Sequence, residues 1–385
     1  MRFVHTSDWH LGRSLYGFNI VDDQAHILEQ IVAITADVRA DALVVAGDIY
    51  DRAVPPPDAV RLLDETLARV ALELRVRVVL IAGNHDAPER LAFGSRLIAS
   101  SGVHMVGRLT AEPVRVPFDD EHGSVDLIAL PYTEPPNVRE VMANAQLLDH
   151  DSAFAARVGR ARAALKPASR SVLVAHVFAS GGTASESERP LTVGGAGAVE
   201  LRNFDGFHYA ALGHLHRPQS VGRAEVRYSG SPLKYSLSEI DHAKSVSVVD
   251  LDARGECRVE VAPLSPRREL RRVEGTLAEI LERGVEGGSR DDYVLAVLAD
   301  REPLLDALAR IRQIYPNCVE LDRSAFFARA ATERAIGADV RRTSERELFA
   351  AFVEQVTGEK LRDTEGAVFA EIVDELARAA READA

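Results

Sequence analysis

Five short stretches carry side chains that could do chemistry together. They are "SDWH" with Asp8 and His10, "AGDIYD" with Asp48 and Asp51, "AGNHD" with Asn84, His85 and Asp86, "AHV" with His176, and "GHLH" with His214 and His216. No cysteine belongs to the set. Imidazole, carboxylate and amide oxygen together suit Mn²⁺, Fe²⁺ or Zn²⁺ better than a thiophilic ion. Asp8, His10, Asp48, Asn84, His176, His214 and His216 are too many groups for one ion that keeps a position open. They fit two cations sharing a carboxylate, about 3.5–4 Å apart, which clamp the oxygens of an in-line phosphoryl displacement. Two aspartates cancel only half the charge of two divalent ions, so the pocket stays positive and favours a phosphate ester.

The elements that position these groups are legible as apolar runs. "RFVHTSD" begins at Arg2, "ALVVAGD" ends at Asp48, and "VRVVLIAGN" ends at Asn84. "VDLIALP" begins at Val125, "SVLVAHV" at Ser171, and "HYAALGH" ends at His214. Helical patterns over Gln24–Arg39 and Asp58–Leu74 fall between the early strands. Alternation of strand and helix predicts an α/β layered domain. Functional groups in such sheets gather beyond the carboxyl ends of strands, where all five stretches lie. Residues two apart on an extended chain point the same way. That would present Asp8 with His10, and His214 with His216, while Trp9 and Leu215 turn into the packing.

After His216 the pattern becomes β-rich, and composition shifts near Pro263–Pro266. Residues 266–327 then read as a small strand–helix–strand–helix–strand module, leaving 1–265 as the main domain. A polar connector, roughly 328–343, leads to a tail reaching 385. In that tail Leu348, Phe349, Phe352, Val353 and Val356 form one helical stripe. Phe369, Ile372, Val373 and Leu376 form another. Residues 179–199, rich in Gly, Ser and Ala, read as a long loop.

Composition bounds the function. The formal charge is −13, which disfavours a general nucleic-acid binder acting alone. No run of 18 apolar residues is present, so no transmembrane span is expected. The N-terminus lacks the order of a signal peptide, and Cys257 and Cys318 fit neither a disulfide framework nor a thiolate zinc site. A cytoplasmic protein is the expectation. "RRELRR" from Arg267 could be a DNA-facing strand or a solvated edge laced with salt bridges. The DNA-contacting residues stay unknown at this level.

The spaced motifs "DWH", "GDIYD", "GNHD", a later strand-end His and "GHLH" resemble the calcineurin-like metallophosphoesterases. "HTSDWHLGRSLYG", "ALGHLHRPQ", "VRYSGSPLKYSLSE", "YPNCVELDR" and "SERELFAAFVEQVTGEKL" are similar to the DNA-nuclease branch of that family. The resemblance covers nearly the whole chain. It implies a four-layer αββα sandwich with a small α/β cap and C-terminal helices. It implies that Asp8, His10, Asp48 and His216 hold one metal and that Asp48, Asn84, His176 and His214 hold the other, with Asp48 bridging. His85 would act on the scissile phosphate rather than ligate, Asp86 would orient its loop, and Asp51 would lie beside the site. Archaeal members carry a histidine just past the second strand's Asp; here that position is Asp51, so no role of that histidine transfers.

The resemblance further implies two Mn²⁺ ions, and exonuclease action on double-stranded ends with endonuclease action on single strands or hairpins. It implies a homodimer through the nuclease domain and an ATPase partner bound by the tail helices, two copies of each chain. No GxxxxGKS motif occurs in this chain, so ATP handling would belong to that partner. Two other readings compete: a phosphodiesterase for small nucleotides or cyclic diesters, and a scaffold that kept the fold without the chemistry. Taken singly, Asp8 is a loop acid, His10 a satisfied histidine and Asp48 a helix N-cap. Their occurrence together and in order favours the metal reading. His5, His26, His104, His122, His150, His208 and His242 are read as structural or exposed.

Overall fold

The structure is a computed structural model that describes residues 1–166, 169–188, 197–300, 302, 304–323, 345–357, 360–362, 364–370 and 372–373. Five parallel-paired strands set the framework: β1 (Arg2–Thr6), β2 (Ala42–Val45), β3 (Arg77–Ile81), β4 (Arg170–His176) and β5 (Tyr209–Gly213). The first sheet runs Cys257–Pro263, Ser245–Leu251, β1, β2, β3, Val103–Val106. The second runs Gln219–Val221, Arg223–Tyr228, β5, β4, Gly123–Leu130, Val114–Asp120.

Alternation within each strand decides what covers it. Phe3, Val44 and Val79 of the first sheet face Leu127, Val172, Val174 and Tyr209 of the second, forming a core between the sheets. Their neighbours Val4, Leu43 and Leu80 turn the other way, onto Ile27 and Ile31 of α1 (Val21–Asp37) and Leu63 and Leu67 of α2 (Pro57–Ala68). Leu173 and Leu212 of the second sheet meet Phe154, Val158 and Ala161 of α3 (His150–Ala164). The result is the four-layer αββα sandwich. Because both strand faces are buried, the strands read as unbroken apolar runs.

Helix boundaries follow local chemistry. The Asn19 side chain accepts from Val21 N at 2.9 Å, so α1 starts three residues before the expected Gln24. Pro57 opens α2, and the expected continuation to Leu74 is a wider π turn over Arg69–Glu73. At α3, Asp149 and Ser152 form a capping box.

β1, β2 and β3 pair in parallel, as do β4 and β5. Their carboxyl ends therefore share an edge in each sheet. Beyond residue 263 the order is strand Leu270–Gly275, helix Leu277–Arg283, strand Tyr293–Leu298, helix Ala307–Arg312, strand Cys318–Asp322.

The chain divides into two compact units. One holds residues 1–273, 280–296 and 306–321; the other holds 274–279, 297–305 and the described residues from 322 onward. In the second unit a helix spans Glu345–Thr357, and the Phe349 ring stacks on Phe369 with centroids 3.9 Å apart. The connector 328–343, the Val356 side chain and Leu376 lie outside the described residues, as do 189–196 of the long loop. No described helix is long and apolar enough to cross a membrane. Cys257 and Cys318 are free thiols.

Candidate metal centre

The seven candidate ligands meet where the carboxyl ends of the two sheets face each other. Asp8, His10, Asp48, His176, His214 and His216 are all buried, at 5 % exposure or less, and Asn84 is half-buried. His10 Nε2 lies 3.1 Å from His216 Nε2 and 3.7 Å from Asp48 Oδ2. The same Asp48 oxygen is 3.4 Å from His176 Nε2. Asn84 Oδ1 is 2.9 Å from His176 Nε2 and 3.3 Å from His214 Nδ1. Asp8, His10 and His216 form one group with ligand atoms within 4.8 Å of one another, and Asp8, Asp48 and His176 form another. Asp8 thus belongs to both groups, while Asp48 Oδ2 is the oxygen that reaches a histidine on each side.

The backbone is bent to make this possible. Asp8, His10 and Asp48 adopt left-handed φ of 54°, 45° and 48°, and His214 adopts 107°. Such conformations cost about 1–3 kcal/mol each for a non-glycine residue and persist where surrounding structure enforces them. The extended-chain reading of "DWH" and "GHLH" is therefore corrected. The pairs converge through left-handed turns, although Trp9 and Leu215 are fully buried between them as expected. Glycines make the close approach. A Cβ on Gly213 would stand 1.9 Å from the Ala46 carbonyl oxygen, and one on Gly83 would stand 2.1 Å from Asp48 Oδ1. Only a bare backbone lets the two sheets and the two loops come this near.

Hydrogen bonds fix the rings. His176 Nδ1 donates to the Ala46 carbonyl at 2.9 Å, which leaves Nε2 facing Asp48 and Asn84. His214 N donates to both Asp8 oxygens at 3.0 and 3.2 Å. The Asp86 carboxylate accepts from the backbone N of Gly83, Ile49 and Tyr50 at 2.9, 3.1 and 2.9 Å, tying the β3 loop to the β2 loop. Burial pushes Asp86 up to about 6, with the Asp48 charge acting in the same direction. His85 N donates to Asp48 Oδ1 at 2.9 Å and its Nδ1 to the Asp51 carbonyl at 2.8 Å. The Asp51 carboxylate is 3.8 Å from His10 Nδ1. Among the other histidines, His5 is fully buried against Tyr209 and the Leu212 carbonyl, and burial drives it down to about 3, as suits a structural role.

Electrostatics tests whether cations fit. Two buried carboxylates stand among imidazoles with acceptor atoms facing one another. Such atoms repel unless a proton or a cation lies between them. Burial raises Asp8 to about 6. Burial alone would lower His176, yet the Asp48 carboxylate at its Nε2 raises it to about 9. A proton on His176 thus stands where a cation would. The donor set fits two divalent ions.

Sequence reasoning missed one residue, Glu239. Its carboxylate is completely buried and lies 3.3 Å from His216 Nδ1. It ends the stretch "SPLKYSLSE", which also carries Lys234, so its charge alone was no signal.

The "RRELRR" strand also resolves. Arg268 makes a two-pronged pair with Asp23, Arg271 Nε is 2.7 Å from Asp292, and Arg267 is 3.4 Å from Asp22. These pairings favour the salt-bridged edge over a DNA-facing one.

A family model described as calcineurin-like phosphoesterase matches residues 1–218, more than half of the chain. The chain belongs to that family, and is a metal-dependent hydrolase of phosphoesters. A second model, described as type 5 capsule protein repressor C-terminal domain, matches residues 266–357. Among named relatives, the SbcD subunit of the nuclease SbcCD from Staphylococcus epidermidis is 32 % identical over 326 residues, covering 85 % of this chain and 86 % of the relative. A dimetal phosphatase from Danio rerio is similar at 15 % identity, covering 70 % of this chain and 97 % of that one, with a TM-score of 0.41. TT1561 of Thermus thermophilus is similar at 15 % identity, covering 68 % and 98 %, with a TM-score of 0.39.

Proposed function

We propose that this chain is the nuclease subunit of an SbcCD-type complex, cutting DNA with two Mn²⁺ ions in company with an SbcC-type ATPase. The observation that carries the reading is the convergence of Asp8, His10, Asp48, Asn84, His176, His214 and His216 in one buried pocket, in a chain similar to an SbcCD nuclease subunit over most of its length. One cation would be held by Asp8, His10, Asp48 and His216. The other would be held by Asp48, Asn84, His176 and His214. Such a pair neutralises phosphate charge and lowers the pKa of water.

The chain's own residues do the rest. The buried ligands keep bulk water from the inner side of the pocket, and half-buried Asn84 and His85 form its open side. The Asp51 carbonyl accepts from His85 Nδ1–H, so Nε2 is the ring atom left for the departing sugar oxygen, and it gives that oxygen a proton from the doubly protonated ring. Asp86 keeps the loop carrying both residues in register with the Asp48 loop. The reaction is direct hydrolysis and needs no covalent enzyme intermediate. The proposed substrates are double-stranded ends for exonuclease action and single strands or hairpins for endonuclease action.

In the proposed division, residues 1–265 form the nuclease domain, 266–327 a cap, and 328–385 a linker with partner-binding helices. Exposed Leu348, Phe352, Val368 and Ile372 support the docking of those helices on the ATPase. Exposed Phe93 and Leu97, at 86 % and 82 %, support a homodimer formed through the nuclease domain. Two copies of each chain would make the assembly. The negative net charge fits a division of labour in which the partner supplies much of the phosphate binding.

The test supplies a hairpin, a blunt duplex and bis-p-nitrophenyl phosphate with Mn²⁺, with and without the ATPase. DNA cleavage is expected. Cleavage of the small ester and of no DNA, even with the partner, would instead mark a small-nucleotide phosphodiesterase.

A further inference from the structure

His216 is held differently from the other candidate ligands. Its Nδ1 lies 2.7 Å from Ser187 Oγ, and that hydroxyl donates onward to Glu239 Oε1 at 2.5 Å. A carboxylate only accepts, so the direction of the chain is set. Glu239 takes the Ser187 proton, Ser187 oxygen takes the His216 Nδ1 proton with Glu239 Oε1 a longer second acceptor at 3.3 Å, and Nε2 is left with its lone pair facing His10. Glu239 is itself fixed by Lys244 Nζ and by Tyr235 N at 3.1 Å. Lys244 also donates to the His216 carbonyl at 2.9 Å and to Ser231 Oγ at 2.8 Å. On the other flank, the Glu188 carboxylate accepts from His216 N at 2.7 Å.

Ser187 and Glu188 belong to the long loop, not to either sheet. That loop is tied down through Thr183, whose N donates to Gln219 Oε1 at 2.9 Å and whose carbonyl accepts from Gln219 Nε2 at 2.8 Å. Glu186 N donates to Ser238 Oγ at 3.1 Å.

We propose that Glu239, acting through Ser187 of the docked loop, is the positioning residue that sets the tautomer and place of His216, so that one of the two cation sites is complete only when the loop segment 183–188 is seated. Carboxylates behind metal-binding histidines commonly change metal affinity 10- to 100-fold when removed. The proposal rests on the two-cation reading of the pocket, and its test separates the two ideas.

The full-length chain, stripped of metal, is titrated with Mn²⁺ and free ion is read by electron paramagnetic resonance. Wild type should bind two ions. Ser187→Ala, Glu239→Gln and the double variant Glu239→Gln/Lys244→Met should each weaken one ion by about 10- to 100-fold and leave the other unchanged. Ser187→Thr, which keeps the hydroxyl, should restore wild-type binding. The double variant removes both buried charges together and guards against unfolding from an unpaired Lys244. Melting of the metal-free proteins checks the fold. Ser187 lies on a loop, so its variant decides the matter even if the Glu239 variants fold poorly. Wild-type binding by Ser187→Ala and the double variant would overturn the proposal, as would equal weakening of both ions. A wild-type chain that binds no ion would instead overturn the two-cation reading.

Discussion

The two halves of the pocket are built from the same kinds of side chain but supported by different means. On the half with His176, Asn84 and His214, the backbone takes part directly. The Ala46 carbonyl accepts from the His176 ring, and His214 is placed through its own backbone N–H, which donates to the Asp8 carboxylate. On the half with His10 and His216, the supports are side chains. Ser187, Glu239 and Lys244 stand behind one ring, and the buried His10 Nδ1 has no hydrogen-bond partner among the described residues. A backbone acceptor comes with the fold and no substitution removes it. A side-chain relay borrows its geometry from a loop, and substitution or loop movement can withdraw it. One cation site should therefore be as rigid as the sheets, and the other should be adjustable.

The largest expected effect ignores this difference. Asp48 Oδ2 stands between the halves, so Asp48→Ala should lose both ions and all turnover, measured by metal content and DNA cleavage. Unchanged metal content would remove Asp48 from its bridging role. Next, His85→Gln should keep both ions and lose turnover by roughly 10²–10⁴-fold, the usual worth of a positioned proton donor. Retained activity would strike His85 from the mechanism.

The Ala46 carbonyl behind His176 can be attacked through the neighbouring glycines. Gly213→Ala would drive a Cβ into the Ala46 carbonyl, so stability should fall by about 1–3 kcal/mol and metal binding on the His176 side should weaken. An unaltered melting temperature would show that the close approach is not required.

A smaller effect concerns pH. Burial raises the folded Asp8 to about 6, above its unfolded value. In the metal-free chain the protonated group is tolerated below that pH, and stability from this source is lost as pH rises through about 6. A cation relieves the buried negative charge and competes with protons for the same atoms. The gain in melting temperature on adding Mn²⁺ should therefore grow from pH 5 to pH 7. A gain that shrinks over this range would contradict the assignment.

Much of this was legible in the chain, and the reasons are specific. "ALVVAGD" and "VRVVLIAGN" each join a doubly buried strand to a polar ligand type after a glycine, and that junction announces a strand end with chemistry on it. His176 needed family order, because nothing beside it in "SVLVAHV" marks it out. The left-handed turns at Asp8, His10, Asp48 and His214 were hidden, since no residue there is a glycine and the strain is imposed by packing from other strands. Glu239 was hidden for a related reason. It lies 23 residues past His216, and only folding brings it behind that ring. The first two helices were placed to within a few residues, α3 was not anticipated, and the π turn after α2 had no signal in the apolar pattern.

The central claim is a pair of cations that share Asp48. Electron paramagnetic resonance of the fully loaded wild-type chain tests it most directly. Two Mn²⁺ ions per chain should appear as one exchange-coupled pair, because such sites hold their ions about 3.5–4 Å apart. A single uncoupled Mn²⁺ spectrum, or no bound ion, would contradict the account.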